Sequence, residues 1–120
     1  MDIQHLRALC DEFKHHPGIA ELSDGLVAKY QCSKISEWFV EFLKRRDIDS
    51  CCLGVEGYLT PNKTGSAYAV DYDWNRFGHT VVIVDNWWVD WTVRQMDVDK
   101  PFPFISNART EINNWKAMGL

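Results

Sequence analysis

"FGHTVVIVDNWWVDWTVRQ", residues 77–95, is the stretch whose reading decides the fold. An apolar, β-branched run from Thr80 to Val84 is followed by Asp85-Asn86 and a second apolar run, the pattern of two antiparallel strands joined by a tight turn. Asp and Asn both tolerate the left-handed backbone that such a turn demands. With Asp85-Asn86 as a two-residue turn, Val81 faces Asp90 and His79 faces Thr92. His79 and Asp90 are then diagonal neighbours on one face, roughly 7–8 Å apart at the backbone and within side-chain reach. One extra residue in the turn puts them on opposite faces. The pairing matters because Asp90 stands between Trp88, Val89 and Trp91, where a carboxylate needs a partner to offset its lost hydration. The same alternation sends Trp88 to the His79 face and Trp87 and Trp91 to the other.

Upstream of the hairpin the periodicity is helical. Ile3, Leu6, Leu9, Cys10 and Phe13 predict a first helix within Asp2 to His16, with Asp2 as N-cap and Pro17-Gly18 as its stop. Cys10 lies on the apolar stripe and reads as a small buried hydrophobe. Ile35, Trp38, Phe39, Phe42 and Leu43 predict a second, strongly amphipathic helix starting close to Cys32. Glu37 and Glu41 precede Lys44, Arg45 and Arg46, the charge order a helix dipole favours. "SCCLGVEGYL" reads as a strand, "TPNKTG" as a turn, "SAYAVDYDW" as a second strand and "NRFG" as a second turn. "DVDKPFPFI" reads as a proline-stiffened crossing segment, and "SNARTEINNWKAM" as a short helix started by Ser106 or Asn107. Helices first and antiparallel strands afterwards predict an α+β fold, residues 1–120 forming one domain with helices packed on a small sheet. The expected partner of the Trp38-Phe39-Phe42 face is the sheet bearing Val81, Ile83 and Val89.

Composition narrows the function. A length of 120 residues with 46% hydrophobic and 25% charged residues supplies one core and too little chain for two domains of ordinary size. A net charge of −4 gives no electrostatic footprint for nucleic acid, and the lone basic cluster, Lys44-Arg45-Arg46, suits a helix end. No apolar run reaches the length that a bilayer needs, and the first residues are amphipathic where a signal peptide is continuously apolar. A cytoplasmic location and no membrane partner are therefore expected. Four cysteines in such a chain read as thiols, and their spacing matches no zinc pattern, so neither metal nor cofactor is expected. Cys51-Cys52 read as strand-packed thiols, since a vicinal disulfide is strained. His5, His15 and His16 read as solvated ends of the first helix.

A base oriented by an acid lacks only a nucleophile. Cys32 supplies one, because backbone N–H groups and the positive end of a helix dipole lower a thiol pKa. Cys32, His79 and Asp90 then complete the set of nucleophile, base and orienter. An oxyanion formed during attack has the Cys32 backbone N–H as one donor, with Gln31 or Gln95 as candidates for the second. Trp88 is a candidate wall for a substrate cleft. Large indoles in a cleft suit a polypeptide better than a small polar metabolite.

A cysteine opening an amphipathic helix, then "GHTVVIVDN", then "WWVDWTVRQ", resembles the papain-like and transglutaminase-like superfamily of thiol enzymes. The likeness spans roughly residues 30 to 105 and is nearest to small bacterial and phage members, toxin-type deamidases and peptidases, in which a strand histidine precedes a "D-x-T-x-x-Q"-like segment. Chain order Cys, His, Asp is the family's order. The resemblance implies a papain-like core and a thiolate–imidazolium pair attacking an amide carbonyl, with Cys32 as nucleophile, His79 as acid and base, and Asp90 as orienter. It also implies a protein or peptide substrate, and for effector-type members delivery to a host cytoplasm or a protein partner that opens the site. Two departures stand out: "KYQCSKIS" replaces the usual glycine-tryptophan setting, and no glutamine lies several residues upstream of Cys32. The competing expectation is an inactive papain-like binding module that acts as an inhibitor or adaptor through a Trp-rich surface.

Overall fold

A computed structural model describes residues 1–58 and 76–117. In chain order the helices are α1 (Ile3–Phe13), the single turn α2 (Gly25–Ala28), α3 (Cys32–Lys44) and α4 (Ala108–Ala117). The strands are β1 (Cys51–Tyr58), β2 (Arg76–Val84), β3 (Trp87–Asp90) and β4 (Phe104–Asn107), and 3-10 turns cover Ala20–Ser23 and Val93–Gln95. The four strands form one antiparallel sheet in the order β1-β2-β3-β4. The fold is α+β, with helices on a small antiparallel sheet.

The hairpin has the expected register. Val82 pairs with Val89, Ile83 with Trp88 and Val84 with Trp87, which leaves Asp85-Asn86 as the turn. Asp85 takes a φ of 54°, as that turn requires. Asp2 caps α1 by accepting from the His5 N–H at 2.9 Å, and Asn107 Oδ1 accepts from the Thr110 N–H at 3.1 Å at the start of α4. α1 ends at Phe13, short of His16, and α3 opens at Cys32.

Three expectations need correction. Arg76, Phe77 and Gly78 are not a turn: they extend β2, pairing with Tyr58, Gly57 and Glu56. Phe104–Asn107 is not merely a crossing segment but an edge strand, which pairs with β3 and gives Trp87–Val89 a neighbour on each side. Cys51 and Cys52 lie on β1 yet are exposed free thiols, so they are not packed. The expected turn "TPNKTG" and strand "SAYAVDYDW" lie outside the described residues.

Strand alternation divides the apolar side chains between two clusters. On one face Val82, Val84, Val89 and Trp91 meet Leu6, Leu9, Cys10 and Phe13 of α1 and Ile35, Phe39, Phe42 and Leu43 of α3. On the other, Val55, Val81, Trp88 and Met96 meet Ala108 of α4, with Ile83 packed against them. α3 therefore covers Val82 and Val84, and the assignment of Val81 and Ile83 to its face is off by one residue of the pleat. Trp38 also differs from expectation. It is 48% exposed and lines a groove with Phe13, His16 and Phe42 between α1 and α3.

Aromatic rings hold the helical layer in place. Phe13, Phe39 and Trp91 pack with centroids 5.0–5.3 Å apart, and Phe102 closes on Trp91 at 5.6 Å. Trp91 adjoins Asp90, and Phe39 lies two turns along α3 from Cys32. The core thus sets where the start of α3 stands relative to the end of β3.

α2 docks on the Val93–Gln95 turn through Gly25, and a Cβ there would clash with the Arg94 carbonyl oxygen. Because that contact is to backbone, no side-chain rearrangement relieves it. Gly25→Ala is expected to destabilise the fold by about 1–3 kcal/mol in urea denaturation. Gly54→Ala, where a Cβ meets open space, serves as the control.

Candidate active site

β3 ends at Asp90, and its pairing with β2 covers only Val82–Val84. β2 runs on past that point with β1 on its other side. The edge so left beside Thr80 receives the N-terminus of α3. Ser36 donates to the Thr80 carbonyl at 3.2 Å, and the Ser33 and Thr80 hydroxyls lie 3.2 Å apart. These contacts bring Cys32 to the strand edge, where the Thr80 backbone N–H and the Ser33 hydroxyl donate to its sulfur.

His79 and Asp90 meet as the register requires. The imidazole Nε2 lies 2.6 Å from Asp90 Oδ2, with both side chains almost fully buried. Asp90 Oδ1 accepts from the Thr92 N–H at 3.0 Å, so both carboxylate oxygens are engaged. With Nε2 committed to Asp90, Nδ1 is the ring nitrogen left for the Cys32 thiol, to which His79 is hydrogen-bonded. The structure thus brings Cys32, His79 and Asp90 together, although the first two stand 47 positions apart in the chain.

Electrostatics follow from this geometry. Burial is the largest single influence on His79 and pulls its pKa down. The charge and hydrogen bond of Asp90, joined by those of Cys32, outweigh it and raise the value from 6.5 to about 9. For Cys32, burial again acts first and disfavours the thiolate. The hydrogen bond and charge of His79, with the Thr80 N–H and the Ser33 hydroxyl, overcome it and lower the pKa below 9.0. Gln31 at the N-cap makes no side-chain cap bond, so it does not take up the first-turn N–H groups of α3, which add to the stabilisation of an anion there. Cys10 is the opposite case: burial pushes its thiol up to about 12.

The remaining candidates take different places. Gln31 is half-buried beside Cys32. Gln95 is 1% exposed, and its amide nitrogen donates to Thr92 Oγ1 at 3.1 Å and faces His79 Nδ1 at 3.5 Å. Trp88 is 1% exposed within the second core cluster, the position of a packing residue rather than a cleft wall. Ser33, Ser36, Thr80 and Thr92 were not singled out in the sequence. Ser33 and Ser36, three apart on a helix opened by a candidate nucleophile, were the available signal. Among the described residues no group of three or more His, Cys, Asp or Glu is arranged to hold a metal ion. No helix among them is long and apolar enough to cross a membrane.

No family model, no curated protein and no solved structure gives a significant match to this chain.

Asp90→Asn removes the charge that raises the His79 pKa and leaves burial in control. In NMR titration the imidazole is expected to move from about 9 in the wild type to below 6.5 in the variant. A base with a raised folded-state pKa adds stability that is complete below its unfolded value of 6.5 and is lost as pH rises through about 9. The stability gap between wild type and Asp90→Asn should therefore narrow over that interval, as read by urea denaturation at a series of pH values.

Proposed function

We propose that this chain is a cysteine-dependent amide hydrolase or acyl transferase, with a papain-like arrangement of Cys32, His79 and Asp90, acting on a protein or peptide. One observation carries the reading: a buried imidazole bonds a carboxylate through Nε2 and also interacts with the Cys32 thiol. A histidine serving only the core needs no thiol whose own pKa it lowers.

In the proposed reaction the Cys32 thiolate attacks an amide carbonyl carbon, forming a C–S bond and an oxyanion. The Cys32 backbone N–H at the start of α3 is the first donor offered to that charge. The His79 imidazolium delivers its Nδ1 proton to the leaving nitrogen as the C–N bond breaks, leaving a thioester on Cys32. His79, again neutral, takes a proton from water or from an amine as that nucleophile attacks the thioester, and the thiol is regenerated. Water gives hydrolysis of a peptide bond or deamidation of a glutamine; an amine gives transfer. Asp90 keeps the imidazole in the tautomer with its Nε2 proton and stabilises the cation.

Leu26, Val27 and Tyr30 support a polypeptide substrate. They precede the nucleophile in α2 and the loop after it, and they are 65%, 47% and 67% exposed. Apolar surface on the segment that leads into Cys32 suits a side chain of a polymer more than a small polar metabolite. The rival reading, an adaptor with a Trp-rich surface, has Trp38 as its exposed indole among the described tryptophan side chains, since Trp88 and Trp91 are buried and Trp87 is half-buried. A cytoplasmic setting, or delivery to a host cytoplasm with a partner that opens the site, belongs to the same proposal.

Iodoacetamide with site-resolved mass spectrometry tests the thiolate. Cys32 is expected to label with a midpoint below 9.0 and, near about pH 6, roughly tenfold or more faster than the other cysteines. Cys10 should stay silent because it is buried, and Cys52, though exposed, should lag because partial desolvation and the charge of Glu37 raise its pKa. Equal labelling of Cys32, Cys51 and Cys52 across pH overturns the enzyme reading. Where turnover of an amide is measured, it should fall as pH passes about 9, when the imidazolium loses the proton it donates.

A further inference from the structure

Gln95 is a neutral amide sealed inside the protein, 1% exposed, and it touches both halves of the site. Its Oε1 accepts from the Tyr30 backbone N–H at 3.3 Å. Its Nε2 donates to Thr92 Oγ1 at 3.1 Å and lies 3.5 Å from His79 Nδ1. Which end of an amide is oxygen is settled by the partners that can only donate. The Tyr30 N–H is such a partner, so the oxygen faces Tyr30 and the NH2 group faces the imidazole. Tyr30 carries a φ of 65°, a left-handed backbone uncommon for a bulky residue, two positions before Cys32. The Gln95 oxygen holds the N–H of that residue.

We propose that Gln95 is a positioning residue of the site: one buried amide that anchors the backbone leading into Cys32 and presents an N–H donor to Nδ1 of His79. The inference rests on the Cys32–His79–Asp90 reading. An N–H aimed at Nδ1 repels a proton there and welcomes a lone pair. Gln95 therefore favours the imidazole that has already given its Nδ1 proton away, the state needed when the leaving nitrogen has been protonated and the next nucleophile must be deprotonated. With its NH2 group directed to Thr92 and His79, Gln95 acts on the imidazole and not as an oxyanion donor. The pairing also accounts for the order of residues in "DWTVRQ". Asp90 binds Nε2, Thr92 orients the amide, and the 3-10 turn Val93–Gln95 bends the chain back so that Gln95 reaches the opposite edge of the ring.

Gln95→Glu and Gln95→Met separate the two tasks. Glu keeps an acceptor for the Tyr30 N–H but replaces the donor at Nδ1 with a carboxylate oxygen, which accepts from the Nδ1–H and holds the proton on the imidazole. The His79 midpoint in NMR titration is expected to rise by about half a pH unit or more in Gln95→Glu. Met supplies neither group, and the plateau rate of Cys32 alkylation is expected to fall roughly threefold or more as the backbone before the nucleophile loses its anchor. A purely structural glutamine would lower the melting temperature of both variants and leave the His79 midpoint of Gln95→Glu at the wild-type value. That result in folded protein overturns the proposal. Should either variant fail to fold, NMR of the wild type decides: two resolved, slowly exchanging Gln95 amide protons, one with an NOE to the His79 ring, support the proposal, and a rapidly exchanging, averaged pair overturns it. A wild-type Cys32 midpoint no lower than an ordinary thiol marks failure of the triad reading, and is distinct from an unshifted His79 midpoint in Gln95→Glu where the wild-type Cys32 midpoint is low.

Discussion

A carboxylate and an imidazole are buried together at the end of a small sheet, and each replaces the hydration that the other has lost. Neither Asp90 nor His79 is tolerable there alone. The register of β2 against β3 makes the pair possible, and the Asp85-Asn86 turn sets the register. Side chains alternate along a strand, so the turn length decides whether the two groups share a face or point apart. The raised pKa of His79, the lowered pKa of Cys32 and the direction of any proton transfer all depend on that parity.

The thiol reaches the pair by a different device. β3 leaves the sheet after Asp90, and α3 enters beside the edge of β2 near Thr80. Ser33 and Ser36 bind Thr80 through its hydroxyl and carbonyl, while the Thr80 N–H serves the sulfur. Ser33 and Thr80 thus both dock a helix and favour an anion at Cys32. Behind them Phe13, Phe39 and Trp91 keep the helix from sliding, since Phe39 belongs to α3 and Trp91 follows Asp90 directly. Packing in the core is what holds Cys32 against the His79–Asp90 pair.

Beyond Asp90 the chain keeps contributing to the site. Thr92 and Gln95 extend the polar network from one side of the imidazole to the other, and Gly25 lets α2 approach the turn that carries Gln95. The segment before Cys32 and the segment after Asp90 are therefore held to each other as well as to the ring. A network whose polar groups are satisfied in this way restricts the imidazole to one orientation.

Local pattern alone determined the elements whose causes are local. The hairpin register follows from a two-residue turn, the start of α3 from apolar spacing, the caps Asp2 and Asn107 from residue type, and the partnership of His79 with Asp90 from strand parity. The Trp88 and Trp91 faces were legible by the same rule. Only the tertiary structure decided the rest. Which face of the sheet α3 covers, and hence that Val82 and Val84 meet it while Val81 and Ile83 do not, depends on how helices and sheet share one core. Trp38 reads as core by spacing, yet it is half exposed because the α1–α3 contact is filled by Phe13 and Phe42. β4 was hidden by the prolines that precede it, Pro101 and Pro103, and the positions of Ser33, Ser36, Thr80 and Gln95 by sequence distance. Periodicity reports which side of an element is apolar; what that side meets depends on long-range packing, which leaves no period in the sequence.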